Sequence, residues 1–196
     1  MKSYKDKTLV TLTGPTAVGK TDVSVELAVP LRTEILSADA RQFYRELQIG
    51  TAAPSAEVLR TVPHHFVGQL SIHDYYNVSL FEQQALKKLY ELFDDRDYVI
   101  LTGGSGLYID TLCYGIDMLP DPDPATRKSV RQVYDKEGLH GLRSWLKRID
   151  PAYYHQVDLA NPNRMMRGIE VYLMSGKPFS EWRRRHFSTR DFAIRK

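Results

Sequence analysis

Residues 8–28 read TLVTLTGPTAVGKTDVSVELA, and this stretch decides the fold. Lys7–Thr13 is short, β-rich and largely apolar, which predicts a buried parallel strand. GPTAVGKT occupies residues 14–21 and fits the phosphate-loop pattern G-x-x-x-x-G-K-[ST], and Thr21–Val29 then reads as a helix. Strand, Gly-rich turn and helix in that order are the context the motif needs. Gly14 and Gly19 let backbone N–H groups converge on phosphate oxygens, Lys20 adds a point charge, and Thr21 offers a hydroxyl to Mg²⁺. The candidate diphosphate-binding segment is therefore Gly14, Pro15, Thr16, Ala17, Val18, Gly19, Lys20 and Thr21. The pattern alone does not separate a nucleotide from any other pyrophosphate.

The same alternation continues outward. Glu34–Ala38 (EILSA) predicts a second strand that ends at Asp39. Val78–Phe93 has helical spacing, with Leu80, Phe81, Ala85, Leu89 and Leu92 at intervals of about three and four. Tyr98–Thr102 (YVILT) predicts another buried strand, which Gly103-Gly104 breaks into a turn and a helix. Strand and helix repeated in this way give an α/β fold with a parallel sheet and right-handed crossovers. The character changes at LPDPDP, residues 119–124, a stiff proline-rich connector. Beyond it, helices are predicted over Ala125–Glu137, Gly138–Ile149 and Asn163–Ser175, with Pro151 and Pro162 near helix starts. The expected division is a core over 1–118, a small helical lobe over 119–187, and a return to the core over 188–196.

Bulk properties narrow the class. The chain has 196 residues, 42% of them hydrophobic and 26% charged, enough for a packed core. Its single cysteine, Cys113, excludes an internal disulfide and sits in an apolar run, which suggests a buried, inert thiol. The start MKSYKDK lacks a signal-peptide core, and no apolar run reaches transmembrane length. The expectation is a soluble, monomeric, cytoplasmic protein without a membrane partner. Net charge is +3, yet residues 164–196 hold nine Lys or Arg against three Asp or Glu. A basic block on a mildly acidic body points to an anionic macromolecule, or to a solvated helix face.

Residues beyond the loop narrow the chemistry. A motor ATPase or GTPase needs an apolar strand ending in a metal-binding acid. Here YVILTGG ends in Thr102 and two glycines, so hydrolysis-driven machinery is disfavoured. Asp39 ends the strand directly after the loop, where a kinase-like core places a substrate-facing acid. It can also serve as a helix cap or as a water-mediated partner of Mg²⁺ held by Thr21.

Five segments carry a resemblance. GPTAVGKT, SADARQFYRELQIGTAAP, PHH, LTGGSGLY and NPNRMMRGIEVYLMSGKPFSE occur in that order, and together they resemble the tRNA dimethylallyltransferase family. The resemblance implies a P-loop NTPase/kinase-like parallel sheet with helices on both faces and a small helical insertion lobe. It also implies transfer of a dimethylallyl group from dimethylallyl diphosphate to N6 of the adenosine beside the anticodon of tRNA. The loop would then hold an isoprenoid diphosphate with Mg²⁺, with Lys20 and Thr21 serving the chemistry and Asp39 as general base. Asp39, Ala40, Arg41 and Gln42 correspond to the segment that contacts the target base. Ser105 retains a hydroxyl near the flipped nucleotide, and it can equally cap the following helix. Arg127, Asn163, Arg164, Met165, Met166 and Arg167 correspond to further tRNA contacts.

Departures from the family pattern matter too. Ala40 stands where the family has Ser, Ala53 where Lys is common, and Ser105 where Thr is usual. FAIRK looks like the start of another strand, and family members run on well beyond it, so a chain ending there is expected to bind diphosphate yet turn over poorly. His64 and His65 match a family pair and read as structural. Arg183, Arg184 and Arg185 add nonspecific attraction. Two other enzymes stay open on the motif alone: an adenylate isopentenyltransferase acting on free AMP, and a small-molecule P-loop kinase using ATP. A pure RNA-binding module would leave the phosphate loop unexplained.

Overall fold

The computed structural model describes residues 4–15, 17–121, 123–183 and 188–196. Two compact units emerge, one formed by residues 1–116 with 187–196 and the other by residues 117–186.

The first unit is built on β1 (Thr8–Thr13), which pairs in parallel with β4 (Tyr98–Gly103) on one side and β5 (Ala193–Arg195) on the other. β2 (Ile35–Ser37) pairs with β4 and with β3 (His64–His65), giving the all-parallel order β3-β2-β4-β1-β5. Parallel strands need crossover helices, and these cover both faces. One face packs Leu9, Leu36 and Leu101 against Phe81, Ala85 and Leu89 of α3 (Val78–Phe93), and against Ile109 and Leu112 of α4 (Gly106–Tyr114). The opposite face packs Ile35 and Ile100 against Ala28 and Val25 of α1 (Lys20–Leu31). The parallel α/β architecture read from the sequence is the one observed. The shorter α2 (Ala56–Thr61) is capped by Ser55, whose hydroxyl accepts from the Val58 N–H at 3.3 Å.

Element ends differ by one or two residues from the sequence reading. The first helix runs Lys20–Leu31 rather than Thr21–Val29, and its terminal turn includes Pro30. β3 has no counterpart in that reading. Two histidines carry no apolar run, and their strand character comes from pairing with Ile35 and Leu36.

The second unit is helical. α5 (Pro124–Ile149) is interrupted at Gly138, whose φ of 62° and ψ of −153° lie in a region open almost only to glycine. The helical boundary expected at Gly138 is therefore real. Pro151 opens α6 (Pro151–Tyr154), Pro162 opens α7 (Pro162–Ser175), and α8 (Phe179–Trp182) comes last. Val130, Leu142, Leu146, Tyr153, Met165, Ile169 and Phe179 form its core. Asp150 is buried there and fully engaged: its carboxylate accepts from the Tyr153 N–H at 3.0 Å, the Ser180 N–H at 2.8 Å and the Ser180 hydroxyl at 2.7 Å. That acid is a structural clamp.

One close approach positions the site in the first unit. The Ala38 N–H donates to the Thr102 carbonyl at 2.7 Å, drawing the C-terminal ends of β2 and β4 together. A Cβ on Gly103 would stand 2.4 Å from the Ala38 carbonyl oxygen, so only glycine fits. Gly103→Ala is expected to cost about 1–3 kcal/mol of stability through overpacking. Urea unfolding checks this, and an unchanged midpoint would show that the strand ends can separate without cost.

Candidate active site

The phosphate loop leaves β1 at Gly14 and enters α1 at Gly19, which has φ 88° and no side-chain cap. Ala17 also takes a positive φ of 68°. The first-turn amides of α1 therefore lack intrahelical acceptors and carry the positive end of the helix dipole. Such an arrangement suits an anion. The Lys20 ammonium lies over the loop, donating to the Pro15 carbonyl at 2.6 Å. Val18 is exposed. Thr16 lies outside the described residues.

A cleft of about 320 Å³ adjoins this loop, and Gly19, Lys20, Thr21, Asp39 and Gln42 all line it. Residues from two separate stretches of sequence thus meet in one cavity. Asp39 comes directly after β2 and is half-buried, and its Oδ1 accepts from the Arg41 N–H at 3.1 Å. That bond makes a local turn, and Asp39 caps no helix. Gln42 braces its surroundings: its carbonyl accepts from the Ser37 hydroxyl at 3.0 Å, and its amide donates to the Thr51 and Ala52 carbonyls at 3.2 and 3.1 Å. The Ser105 hydroxyl accepts from the Ala40 N–H at 2.9 Å and makes no capping bond to α4, although Ser105 occupies the cap position. Ser105 therefore ties the Asp39–Gln42 segment to the start of α4. Arg41 is exposed beside it.

Several further cleft residues were not singled out as site residues by sequence, Ser37, His64 and Thr102 among them. Ser37, His64 and Thr102 lie on the α1 face, since Ile35 pairs with both His64 and Ile100, and Ser37 pairs with Thr102. His64 Nδ1 stands 2.8 Å from the Val62 carbonyl, so Nδ1 carries the proton and Nε2 is an acceptor. Burial holds this imidazole below its ordinary pKa; the Val62 carbonyl opposes the shift and His65 reinforces it. His64 Nε2 and Thr102 Oγ1 are buried with no hydrogen-bond partner among the described residues. The HH pair was the only sequence signal for His64. Its neighbour is structural, with His65 Nε2 2.6 Å from a Glu34 carboxylate oxygen. Cys113 is buried, and burial pushes its thiol up to about 11, which leaves it inert.

The remaining candidates lie in the helical unit. Asn161 caps α7 by accepting from the Arg164 N–H at 3.1 Å, and the Asn163 and Arg164 side chains are exposed. Arg127, on α5, is exposed and stands 3.8 Å from Glu170. Arg167 points inward, donating to the Pro120 carbonyl at 3.0 Å and facing Glu170 at 3.8 Å. Arg164 and Arg167 share a helix face in sequence but do not present two free guanidinium groups side by side. Met165 is fully buried in the lobe core and Met166 nearly so. For Met165 the correction is plain: it packs the core and offers no surface to RNA. Arg183 lies over the Tyr153 and Phe179 rings, while Arg184 and Arg185 lie outside the described residues.

The model of the IPP transferase family matches residues 42–196. The tRNA dimethylallyltransferase 1 of Bacteroides thetaiotaomicron is 46% identical over 189 residues, which cover 96% of this chain and 61% of that protein. The tRNA dimethylallyltransferase 2 of Porphyromonas gingivalis is 47% identical, with coverage of 97% and 63%. The solved full-length tRNA isopentenylpyrophosphate transferase of Bacillus halodurans is similar at 31% identity and TM-score 0.55, covering 89% of this chain and 58% of that one. A eukaryotic dimethylallyltransferase solved acting on tRNA shares the fold at TM-score 0.73 and 20% identity, over 96% of this chain and 47% of that one. The chain spans about three fifths of the length of the curated relatives it matches. With the profile matched over most of its length, and a phosphate loop facing an acid across one cleft, the chain belongs to the IPP transferase family.

Proposed function

We propose that this chain transfers a dimethylallyl group from dimethylallyl diphosphate to N6 of the adenosine beside the anticodon of tRNA, releasing diphosphate. The single observation that carries the reading is the cleft joining Lys20 and Thr21 to Asp39, with Thr102 where a hydrolytic site needs an acid. Relatives at 46–47% identity are named tRNA dimethylallyltransferases, which supports the same substrates.

The residues divide the work by charge. As the allylic C–O bond breaks, its electron pair leaves with the diphosphate, and negative charge grows on a group that the loop amides and Lys20 are suited to hold. An exocyclic amine of adenine is a weak nucleophile until it loses a proton. Asp39, across the cleft, accepts that proton as the N6–C bond forms. The Arg41 N–H fixes one carboxylate oxygen and so the direction of the other. The base must leave its stack to reach this cleft, which requires a grip on the flanking backbone. Exposed Arg164 suits a phosphate contact. The helical unit is the RNA-binding lobe on this reading, and the first unit is the catalytic core.

The donors fit Mg²⁺. The hydroxyls of Thr21, Ser37 and Thr102 and the carboxylate of Asp39 are hard oxygens in one cleft, and the Thr102 hydroxyl is buried without a partner among the described residues. Thr21 would hold the ion, and the Asp39 carboxylate lines the same cleft. Bound there, the ion neutralises charge on the departing diphosphate. We place the reaction in the cytoplasm, where tRNA is; no helix among the described residues is long and apolar enough to cross a membrane.

Asp39→Ala is expected to slow prenyl transfer by about a hundredfold or more while leaving RNA affinity nearly unchanged. Single-turnover kinetics beside a binding titration check both halves, and wild-type turnover would remove Asp39 as the base. Thr21→Ala should weaken Mg²⁺-dependent diphosphate binding by about tenfold, the loss of one contact to a charged group. Identical calorimetric titrations would sink the metal role. Arg164→Ala should lower RNA affinity and reduce the salt-dependence slope by about one; an unaltered slope would count against phosphate contact. The reading as a whole is tested by offering dimethylallyl diphosphate with unmodified tRNA, with AMP, and ATP with small acceptors. Prenylated adenosine should form in tRNA alone; phosphorylation of an acceptor, or prenylation of AMP alone, would overturn it.

A further inference from the structure

A row of polar side chains crosses three adjacent strands along the phosphate-loop cleft. β3, β2 and β4 are neighbours, and His64, Ser37 and Thr102 stand one on each, all on the α1 face. A sheet face covered by a helix is ordinarily apolar, as Val62, Ile35 and Ile100 are, two positions earlier in each stretch. Two members of the row carry an atom buried with no hydrogen-bond partner among the described residues, His64 Nε2 and Thr102 Oγ1. Ser37 donates its proton to the Gln42 side-chain carbonyl at 3.0 Å, and its oxygen keeps lone pairs to accept with. His64 gives its Nδ1 proton to the Val62 carbonyl at 2.8 Å, so Nε2 only accepts. Burial holds the ring below its ordinary pKa, so it is neutral at pH 7 and does not repel a cation.

Such a row calls for a donor. A phosphate oxygen is the wrong partner for Nε2, since both are acceptors, and the Lys20 ammonium is bonded to the Pro15 carbonyl. A metal-bound water meets the need: its lone pair goes to the ion, and both hydrogens point outward. Mg²⁺ gives up its waters reluctantly and keeps several when one or two side chains and a substrate phosphate bind it. In hydrolytic phosphate-loop enzymes an acid after a neighbouring strand helps to hold the ion. Here Thr102 lies near the end of β4, the strand beside β1. We propose that Thr102, Ser37 and His64 form a neutral acceptor shell for the waters of Mg²⁺ held at Thr21. The three are positioning residues, reaching the ion through its waters. A shell without charge fixes the ion's place and leaves its positive charge to the departing diphosphate, part of which an acid at residue 102 would offset. This inference rests on the reading that Thr21 holds Mg²⁺.

Calorimetry with inorganic diphosphate, in Mg²⁺ and in EDTA, gives the ratio of the two affinities for each protein. Thr102→Val removes the hydroxyl at nearly constant shape. His64→Asn keeps a donor for the Val62 carbonyl and removes the Nε2 acceptor. Each should lower the ratio about tenfold, the low end of what losing an outer-shell partner costs in metal affinity. Thr102→Ser and His64→Gln each restore an acceptor and should recover most of the ratio. A change that merely disturbs packing lowers both affinities and leaves the ratio alone, so a wild-type ratio in Thr102→Val and His64→Asn overturns the proposal. So does a loss that Thr102→Ser and His64→Gln repeat in full. If the wild-type protein binds diphosphate equally well in Mg²⁺ and in EDTA, the metal reading itself falls, and the shell with it.

Discussion

The ends of β2 and β4 approach so closely that a side chain at Gly103 would overlap the Ala38 carbonyl. Almost everything about the site depends on that seam. The Ala38 N–H is bound to Thr102, the Ser105 N–H to Ala38, and the Ala40 N–H to the Ser105 hydroxyl. Together these bonds turn the chain sharply after β2 and set Asp39 beside the start of α1. A looser seam would leave the phosphate loop intact and the acid elsewhere. Because parallel strands end at the same edge of the sheet, the loop after β1 and the acid after β2 share that edge, and the seam brings them into one cleft.

Much of this was legible in the sequence, for reasons that differ by residue. The phosphate loop announces itself because its glycines, lysine and threonine are each required by phosphate geometry and are adjacent in the chain. Of the five strands among the described residues, three were readable because buried parallel strands are continuous apolar runs, and FAIRK signalled the start of a fourth, β5. β3 was not, since His64–His65 becomes a strand only by pairing with β2. The unpartnered His64 and Thr102 atoms were hidden for the same reason: which face a residue takes depends on register across strands. Met165 shows the opposite case. Its place in a stretch resembling an RNA-contact segment suggested exposure, whereas α7 buries Met165, Met166 and Ile169 at spacings of one, three and four, a periodicity already present in the sequence. Arg167 was readable as a cation but not as one drawn to the Pro120 carbonyl, which is a tertiary fact.

The two units divide two physical problems. On the proposed function, the core must stabilise charge appearing on a leaving group, for which the first-turn amides of α1 and Lys20 are suited. On the same reading the lobe must hold a polyanion, and exposed Arg164 is the side chain suited to it. Neither problem requires nucleotide hydrolysis. On the proposed function, a loop most familiar as a place where phosphate is cleaved retains a diphosphate while carbon departs from it.

That central claim is most directly tested by competition calorimetry on the chain with Mg²⁺ at neutral pH. On this account dimethylallyl diphosphate and inorganic diphosphate bind the same site and displace one another, while ATP displaces neither at comparable concentration. Displacement of both by ATP, with release of ADP, would contradict it.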